Sequence, residues 1–415
     1  MAGNELFARE EWRRHGANVP ACLAGMMLVS VHNYSLGAMV MPLEKEFGWS
    51  RAEITAGHFF PSLAAIIMAP LVGMAIDRVG ARRIALAGVP AFCLCLALLG
   101  LAGPGLTSWL VLYFLLGVAS MLIFPTVWTT AINVRFDRNR GKALAVTLIG
   151  TGVAATFVPT LTTLLIASQG WRGAYATLAL LAFVIVFPLV WLLFARDERG
   201  GAAQLAGDDA VGPALHGGKP MLSELRSARF LKLAGAAFAF GLAASALTTN
   251  AVPILRSEGL DALAAAKIAG LMGIGSMTGR LLGGVLLDHM EARIVAACSM
   301  ILPAIAILLL LNSDGAALPA SLACLLIGLS AGAEYDACAY LAARHFGVQR
   351  FGALFGTIGG ILLAANGIAP TLSNRVFDIA RSYDIVLWAS LPLLVLSAIL
   401  FFSLGAYPES EKSAG

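Results

Sequence analysis

Apolar residues run along this chain in blocks of about 20, each long enough to cross a hydrocarbon layer roughly 30 Å thick. Twelve blocks predict membrane-spanning helices: 18–43, 51–76, 84–103, 106–134, 142–168 and 171–195, then 229–255, 262–288, 292–311, 317–345, 351–377 and 384–406. Between the sixth and seventh, residues 196–228 are rich in Gly, Asp and Ala and hold two prolines. That stretch reads as a solvent-exposed linker, with a short surface helix expected near Ser223 to Arg229. All other connections are short, so successive helices are expected to be antiparallel neighbours. The pattern predicts an all-α membrane protein of two six-helix bundles, 1–195 and 229–415, joined by the linker 196–228.

The two bundles carry a shared register. Gly73, Asp77 and Arg82 recur 211 positions on as Gly284, Asp288 and Arg293. The same offset takes Pro42 to Pro253, Gly48 to Gly259, and Pro159-Thr160-Leu161 to Pro370-Thr371-Leu372. It also takes Ser50 to Asp261, both good helix N-caps. With a slip of one residue, Phe136 and Arg140 meet Phe346 and Arg350. Chance identities among Ala, Leu and Gly are common in apolar sequence, but prolines, caps and charges in one register mark an internal repeat.

Composition agrees. The chain has 415 residues, 59% hydrophobic and 13% charged, with a mean hydropathy of +0.83. A soluble protein carries about a quarter of its residues charged. The first eighteen residues are polar and charged, without the apolar core of a cleavable signal. The net charge of +4 does not point to nucleic acid, because of where the basic residues lie. Of 28 Lys and Arg, 20 fall at the termini, in the linker and in the loops leaving even-numbered spans; 7 fall in the opposite loops, and Arg280 lies within a span. By the positive-inside rule, both termini and the linker are expected on the cytoplasmic side. Ala- and Gly-rich helices with short loops point to a bacterial inner membrane. The six cysteines all lie inside apolar runs with no metal spacing, and read as small core residues.

The stretch Gly73-Met74-Ala75-Ile76-Asp77-Arg78-Val79-Gly80-Ala81-Arg82-Arg83, its partial copy after span 8, the six-plus-six spans and the long central loop resemble the major facilitator superfamily over nearly the whole chain. In the second copy His289 and Met290 replace the arginine and following residue. The residues have their own logic. Gly73 is expected to let two helices approach closely, and Gly80 to permit a tight reversal. Asp77 is placed to pair with Arg135 at the end of span 4, or to face a helix amino terminus. The resemblance implies that Gly73, Asp77, Arg78, Gly80, Arg82, Arg83 and Arg135, with Gly284, Asp288 and Arg293, form a cytoplasmic gate that latches the halves. Positive-inside topology alone would also explain these arginines.

A finer resemblance is to the monocarboxylate-porter and oxalate–formate-exchanger branch. It rests on the run Arg135 to Ala145, on Gly279-Arg280, and on Gly332-Ala333-Glu334-Tyr335-Asp336 followed by Tyr340 to Gly347. It implies a small organic anion as cargo. Two departures matter. Ser276 stands where the monocarboxylate branch has an acid, and span 11 has no lysine between Phe351 and Asn374, where the exchangers carry one. One carboxylate therefore fits better than two.

Only Arg280, Glu334 and Asp336 place a formal charge in the middle of a span. A charge at bilayer depth is costly and must face a cavity or a partner. Arg280 lies eight residues before Asp288, and Asp336 eight before Arg344, which puts both about 12 Å from the cytoplasmic ends. Arg280 is expected either to form a structural pair with a span-10 acid or to bind a substrate carboxylate. Glu334 and Asp336 lie about 200° apart on a helix, so at most one faces it squarely. Either acid is a candidate for proton coupling.

Histidine can take a proton near neutral pH or hydrogen-bond a neighbouring helix. His32, in the polar island Val31-His32-Asn33-Tyr34-Ser35, is a candidate for substrate contact together with Asn33 and Tyr34; His58 is a candidate for proton coupling. Trp128 is either a core residue or a surface for a substrate ring. Asn250, in the kinkable stretch Thr248-Thr249-Asn250 before Pro253, and Asn366 in span 11 join the substrate-binding set by analogy. The close glycines of span 8, from Gly270 to Gly284, allow tight helix approach.

No Walker loop, metal-spaced His/Cys cluster or nucleophile elbow is present, so no cofactor and no enzymatic activity are expected. The expected protein is a monomeric secondary transporter in the lipid bilayer, moving a small organic anion, a monocarboxylate, with a proton. A proton-driven exporter of drugs or amphipathic solutes is the alternative: Gly150, Gly152 and Pro159 match part of such a span 5, but Val158 precedes the proline. A receptor would need a signalling extension that neither terminus nor the linker has room for.

Overall fold

The computed structural model describes residues 10–137, 139–194, 224–346 and 348–405, with the side chains of Pro70, Asp288, Ala343 and residues 348–353 outside the description. Most of the linker, from 195 to 223, also falls outside, and so does the start of the expected surface helix near Ser223; residues 224–225 are helical. The described residues are helical throughout, and eleven helices are long and apolar enough to span a membrane. One of them, Arg140–Leu193, has 54 residues, about 80 Å at 1.5 Å per residue, which is far more than a bilayer needs. It breaks at Gly170, whose φ of 73° and ψ of 172° are non-helical, and so comprises spans 5 and 6. Twelve spans result.

Capping and backbone chemistry fix the ends. Ser50 forms a capping box with Glu53 at the start of span 2. Asp261 accepts from Leu263 and Ala264 N–H at the start of span 8, and Ser227 accepts from Phe230 N–H at the start of span 7. Gly80, at φ 91° and ψ 142°, joins spans 2 and 3 in a conformation that an L side chain rarely takes.

Three spans are discontinuous. Span 2 is Arg51–Ala56 followed by Phe59–Val79, with the break at Gly57 and His58. Span 4 is Leu106–Met121 followed by Pro125–Asn133, where Pro125 opens the second piece. Span 7 is Ala228–Thr249 followed by Ala251–Ser257, breaking at Asn250.

The chain divides into two compact units, Met1–Gly217 and Gly218–Gly415. In the first, residues 10–15 are helical and lie ahead of span 1. Glu11 reaches from there to the loop between spans 4 and 5, accepting from Asp137 N–H at 2.5 Å, Asn139 N–H at 2.9 Å and Asn139 Nδ2 at 2.8 Å. At the other end of this unit Phe47 stacks on Trp49, Trp109 packs on Tyr113, and Arg172 lies 4.2 Å over the Trp171 ring. Tryptophan and tyrosine with one apolar and one polar end suit a membrane–water boundary. The second unit holds one continuous core running from Phe230 to Leu404. A buried network locks spans 7, 11 and 12 within it: Asn250 Nδ2 donates to Ser373, Asn374 Nδ2 to Asn250 Oδ1, and Tyr383 O–H to Asn374 Oδ1.

Candidate functional site

The closest helix approach in the second unit sets the site. Spans 8 and 10 meet along a seam of glycines. A Cβ added at Gly275 would lie 2.3 Å from Leu325 O, one at Gly279 2.0 Å from Leu329 O, and one at Gly283 3.1 Å from the Ala333 Cβ. The reverse holds from span 10: Gly328 would meet Met272 O, and Gly332 would meet Ser276 O, each at 2.1 Å. Backbones in such contact fix the register of the two helices.

That register places Arg280 opposite Asp336. Arg280 Nη1 lies 3.7 Å from Asp336 Oδ1, with the side chains 17% and 29% exposed. The pair is an ion pair without hydrogen-bond distance. Both side chains retain open surface, so the pair is accessible rather than sealed in the core. Tyr335, exposed, meets Phe355 of span 11 edge-on at 5.4 Å. The open stripe of span 10 is therefore flanked by Arg280 on one side and an aromatic pair on the other.

Glu334 faces away. It is buried and accepts from the Cys338 thiol at 3.3 Å, one turn along the same helix. The sequence left open which acid faces Arg280; the geometry selects Asp336. It also gives Cys338 a hydrogen-bonding role that the reading of the cysteines as core filler omitted, and Cys298 is exposed rather than buried.

In the first unit, His32 of span 1 and His58 of span 2 come together. Their ring centroids are 5.7 Å apart, tilted by 30°, and Phe92 of span 3 closes the side of His32 at 5.9 Å. Both histidines are buried, and neither Nδ1 has a hydrogen-bond partner; nor does the buried Asn33 Oδ1. Asn33 and Tyr34 are half-exposed. Trp128 has the packing of a core residue: it is fully buried, donates its indole N–H to Ile123 O, and fills the space that a Cβ at Gly25 would need. Asn250 is fully buried with its amide satisfied within the network described above. Asn366 is half-exposed, and its carbonyl accepts from Ser245.

The turn after span 2 needs two corrections. Among the described residues of its own unit, a Cβ at Gly73 would meet no atom within 4 Å, and the same is true of Gly284, so neither glycine mediates a close helix approach within its unit. Nor do Asp77 and Arg135 pair: Asp77 is exposed, with no ion pair among the described residues. Arg135 instead turns back to donate to Ala131 O and lies over Phe194. Arg82 caps the end of span 6, donating to Phe194 O at 2.7 Å and Trp191 O at 2.8 Å, where unpaired carbonyls favour a cation. Its repeat counterpart Arg293 binds Glu291 at 2.6 Å and lies over Phe402, which is 211 positions after Trp191. Each arginine thus reaches the last span of its own half. Arg78 and Arg83 are exposed, and the Asp288 side chain lies outside the described residues.

One feature had no sequence signal, because three loops build it. A cavity of about 500 Å³ opens where the loops after spans 7, 9 and 11 meet, and Glu258, Asp314, Asp384 and Arg381 line it. Burial, then the carboxylates of Asp384 and Asp314, raise the Glu258 carboxyl above its ordinary value. Asp314 and Arg381 both adopt left-handed backbone, at φ 45° and 57°.

The chain is similar to known transporters. It is 25% identical over 383 residues to a gallate transporter of Pseudomonas putida, covering 81% of this chain and 83% of that protein. Two solved structures share its fold. One is a bacterial homologue of the human lysosomal transporter Spinster, inward-facing and unoccupied, with a TM-score of 0.71, 16% identity, and 94% and 96% of the two chains covered. The other is the nucleoside transporter NupG, with a TM-score of 0.73, 13% identity, and 94% and 99% covered. The Major Facilitator Superfamily model matches residues 21–370. With its twelve spans and repeated halves, the chain belongs to the major facilitator superfamily, as a membrane transporter and not an enzyme.

Proposed function

We propose that this transporter moves a small organic anion bearing one carboxylate, together with a proton, by alternating access. The observation that carries the reading is the open Arg280–Asp336 pair inside the spans. A guanidinium binds a carboxylate with two parallel hydrogen bonds, and at 3.7 Å Asp336 does not use that geometry. An incoming carboxylate takes Arg280 and displaces Asp336. An unpaired carboxylate at this depth is costly, so a proton accompanies its release. Cargo and proton then move as one neutral load.

Two further observations favour an aromatic acid within this class. The relative in Pseudomonas putida is a gallate transporter, and gallate is an aromatic monocarboxylate. Tyr335 and Phe355 offer a ring surface beside the charged pair. The resemblance to the monocarboxylate-porter and oxalate–formate-exchanger branch agrees with a carboxylate. In this reading the protein is a monomer in the bacterial inner membrane, with both termini in the cytoplasm and the Gly73 and Gly284 turns at the cytoplasmic gate.

The test is uptake by proteoliposomes of labelled gallate, benzoate, lactate and pyruvate, with and without a proton uncoupler. At least one acid is expected to accumulate and to collapse on uncoupling. Arg280→Gln, and also Arg280→Lys, which lacks the planar fork, are expected to abolish it. Normal uptake by Arg280→Gln protein would refute the assignment.

A further inference from the structure

The first unit contains a pair of imidazoles that helix packing does not require. His32 and His58 lie on spans 1 and 2, and the internal repeat supplies a control for each. Counted 211 positions on, they correspond to Ala243 and Ala269, which are buried in the second unit. The same helices therefore pack with a methyl group at both places. In the first unit two large polar rings occupy these sites, in contact at 5.7 Å.

Their surroundings offer no ordinary reason for burial. Phe92 is the apolar neighbour from span 3, and Tyr113 of span 4 packs against Gly57, next to His58, bringing only a neutral phenol. Among the described residues neither ring forms an ion pair, and each has the other as its titratable neighbour, at 5.7 Å between centroids. Both Nδ1 atoms are buried without a partner. A buried nitrogen without a hydrogen bond destabilises the fold, and here there are two. His58 also lies at the break in span 2, between Ala56 and Phe59, where the helical hydrogen-bond ladder is interrupted. Discontinuous spans are where transporters build ion sites.

We propose that His32 and His58 form one proton-binding site, which loads a single proton shared by the two rings and drives transport. The chemistry balances simply. One proton from the aqueous side adds to a ring nitrogen of one imidazole, giving an imidazolium that donates to the other ring; release on the far side restores two neutral rings. The site rests on the proton-coupled reading above, and adds to it a second protonation step, in the unit that does not hold Arg280. With Asp336 taking one proton as the anion arrives, a monocarboxylate crosses with two protons and the cycle carries net positive charge.

The test uses purified full-length protein in proteoliposomes, with labelled gallate as the probe. Accumulation driven by a pH gradient is compared with counterflow, in which labelled and unlabelled gallate exchange with no net proton movement. The variants are His32→Ala and His58→Ala, the residues found at the equivalent positions of the second unit, and His32→Gln and His58→Gln. Each is expected to lose gradient-driven accumulation at least tenfold while keeping counterflow within twofold. The double variant should be no worse than either single, since the rings act as a unit. Proton-to-gallate stoichiometry, read from the reversal potential, is expected at two for the wild type. Variants that accumulate gallate to the wild-type level, variants that lose counterflow as well, or a wild-type stoichiometry of one would overturn the shared site. Failure of the wild type to carry any of the four acids would instead remove the anion reading, and this inference with it.

Discussion

The glycine seam between spans 8 and 10 allows a direct test of how packing sets the charged pair. In Gly279→Ala the new Cβ would lie 2.0 Å from Leu329 O, some 1.4 Å short of an ordinary 3.4 Å contact. The atom met is a backbone carbonyl in a helix, which cannot rotate aside as a side chain can. The helices must separate, and Arg280 is the next residue along. Adding that separation to the present 3.7 Å takes the ion pair to about 5 Å, beyond pairing distance. Overpacking of this kind costs about 1–3 kcal/mol. Alanine is also a better helix former than glycine by about 1 kcal/mol, which would mask part of that cost. Gly284→Ala on the same helix cancels this term, because a Cβ there meets nothing within 4 Å. The two variants should therefore differ by about 1–3 kcal/mol, with Gly279→Ala the less stable. Thermal unfolding in detergent measures the difference, and uptake in proteoliposomes should fall in Gly279→Ala. Equal melting temperatures, or wild-type uptake by Gly279→Ala protein, would refute the reasoning.

Other consequences follow from single contacts. Asn250→Ala removes the hydrogen bonds to Ser373 and Asn374, which keep their bonds to Pro370 O and Tyr383, and should cost about 1–3 kcal/mol, whereas Tyr383→Phe removes its bond to Asn374 and should cost about 1, both read from thermal unfolding. Gly80→Ala forces an L side chain to φ 91° and should lower the melting temperature, while Gly73→Ala in the same turn should not. The Glu258 carboxyl is raised in the folded protein, so its contribution is fully present below its unfolded value, near 4.5, and is lost as pH rises through the folded value. Glu258→Gln should therefore melt higher than wild type at pH 8 and match it near pH 4.

Much of the fold was legible because membrane helices leave coarse marks. The division at Gly170 falls between the expected spans 142–168 and 171–195, since a break between two apolar runs is visible along the chain. The kinkable stretch Thr248-Thr249-Asn250 before Pro253 coincides with the break in span 7, whereas the break at Pro125 in span 4 has no counterpart among the expectations. The break at Gly57–His58 carries its own mark, since Pro61 lacks the N–H that would bond the Gly57 carbonyl and its ring crowds that carbonyl, but the expected span 51–76 runs straight through it. Arg280 stood out as a charge in an apolar run. Its partner did not, because choosing Asp336 over Glu334 needs the rotation of span 10 against span 8, and that depends on the reciprocal glycine contacts. The error at Gly73 has a related cause. A glycine that permits close approach looks the same in sequence as one facing open space. Arg82 reaches carbonyls 109 and 112 residues away, a link that no local pattern carries.

The central claim is that a carboxylate replaces Asp336 on Arg280 and that a proton accompanies the exchange. Calorimetric titration of gallate into the purified protein, run in two buffers of different ionisation heat, counts protons taken up per anion bound. The account predicts saturable binding with proton uptake by the wild type, about one proton less in Asp336→Asn, and no binding of gallate's neutral amide or by Arg280→Gln protein. Equal binding of gallate by the wild type and Arg280→Gln, or proton uptake unchanged in Asp336→Asn, would contradict it.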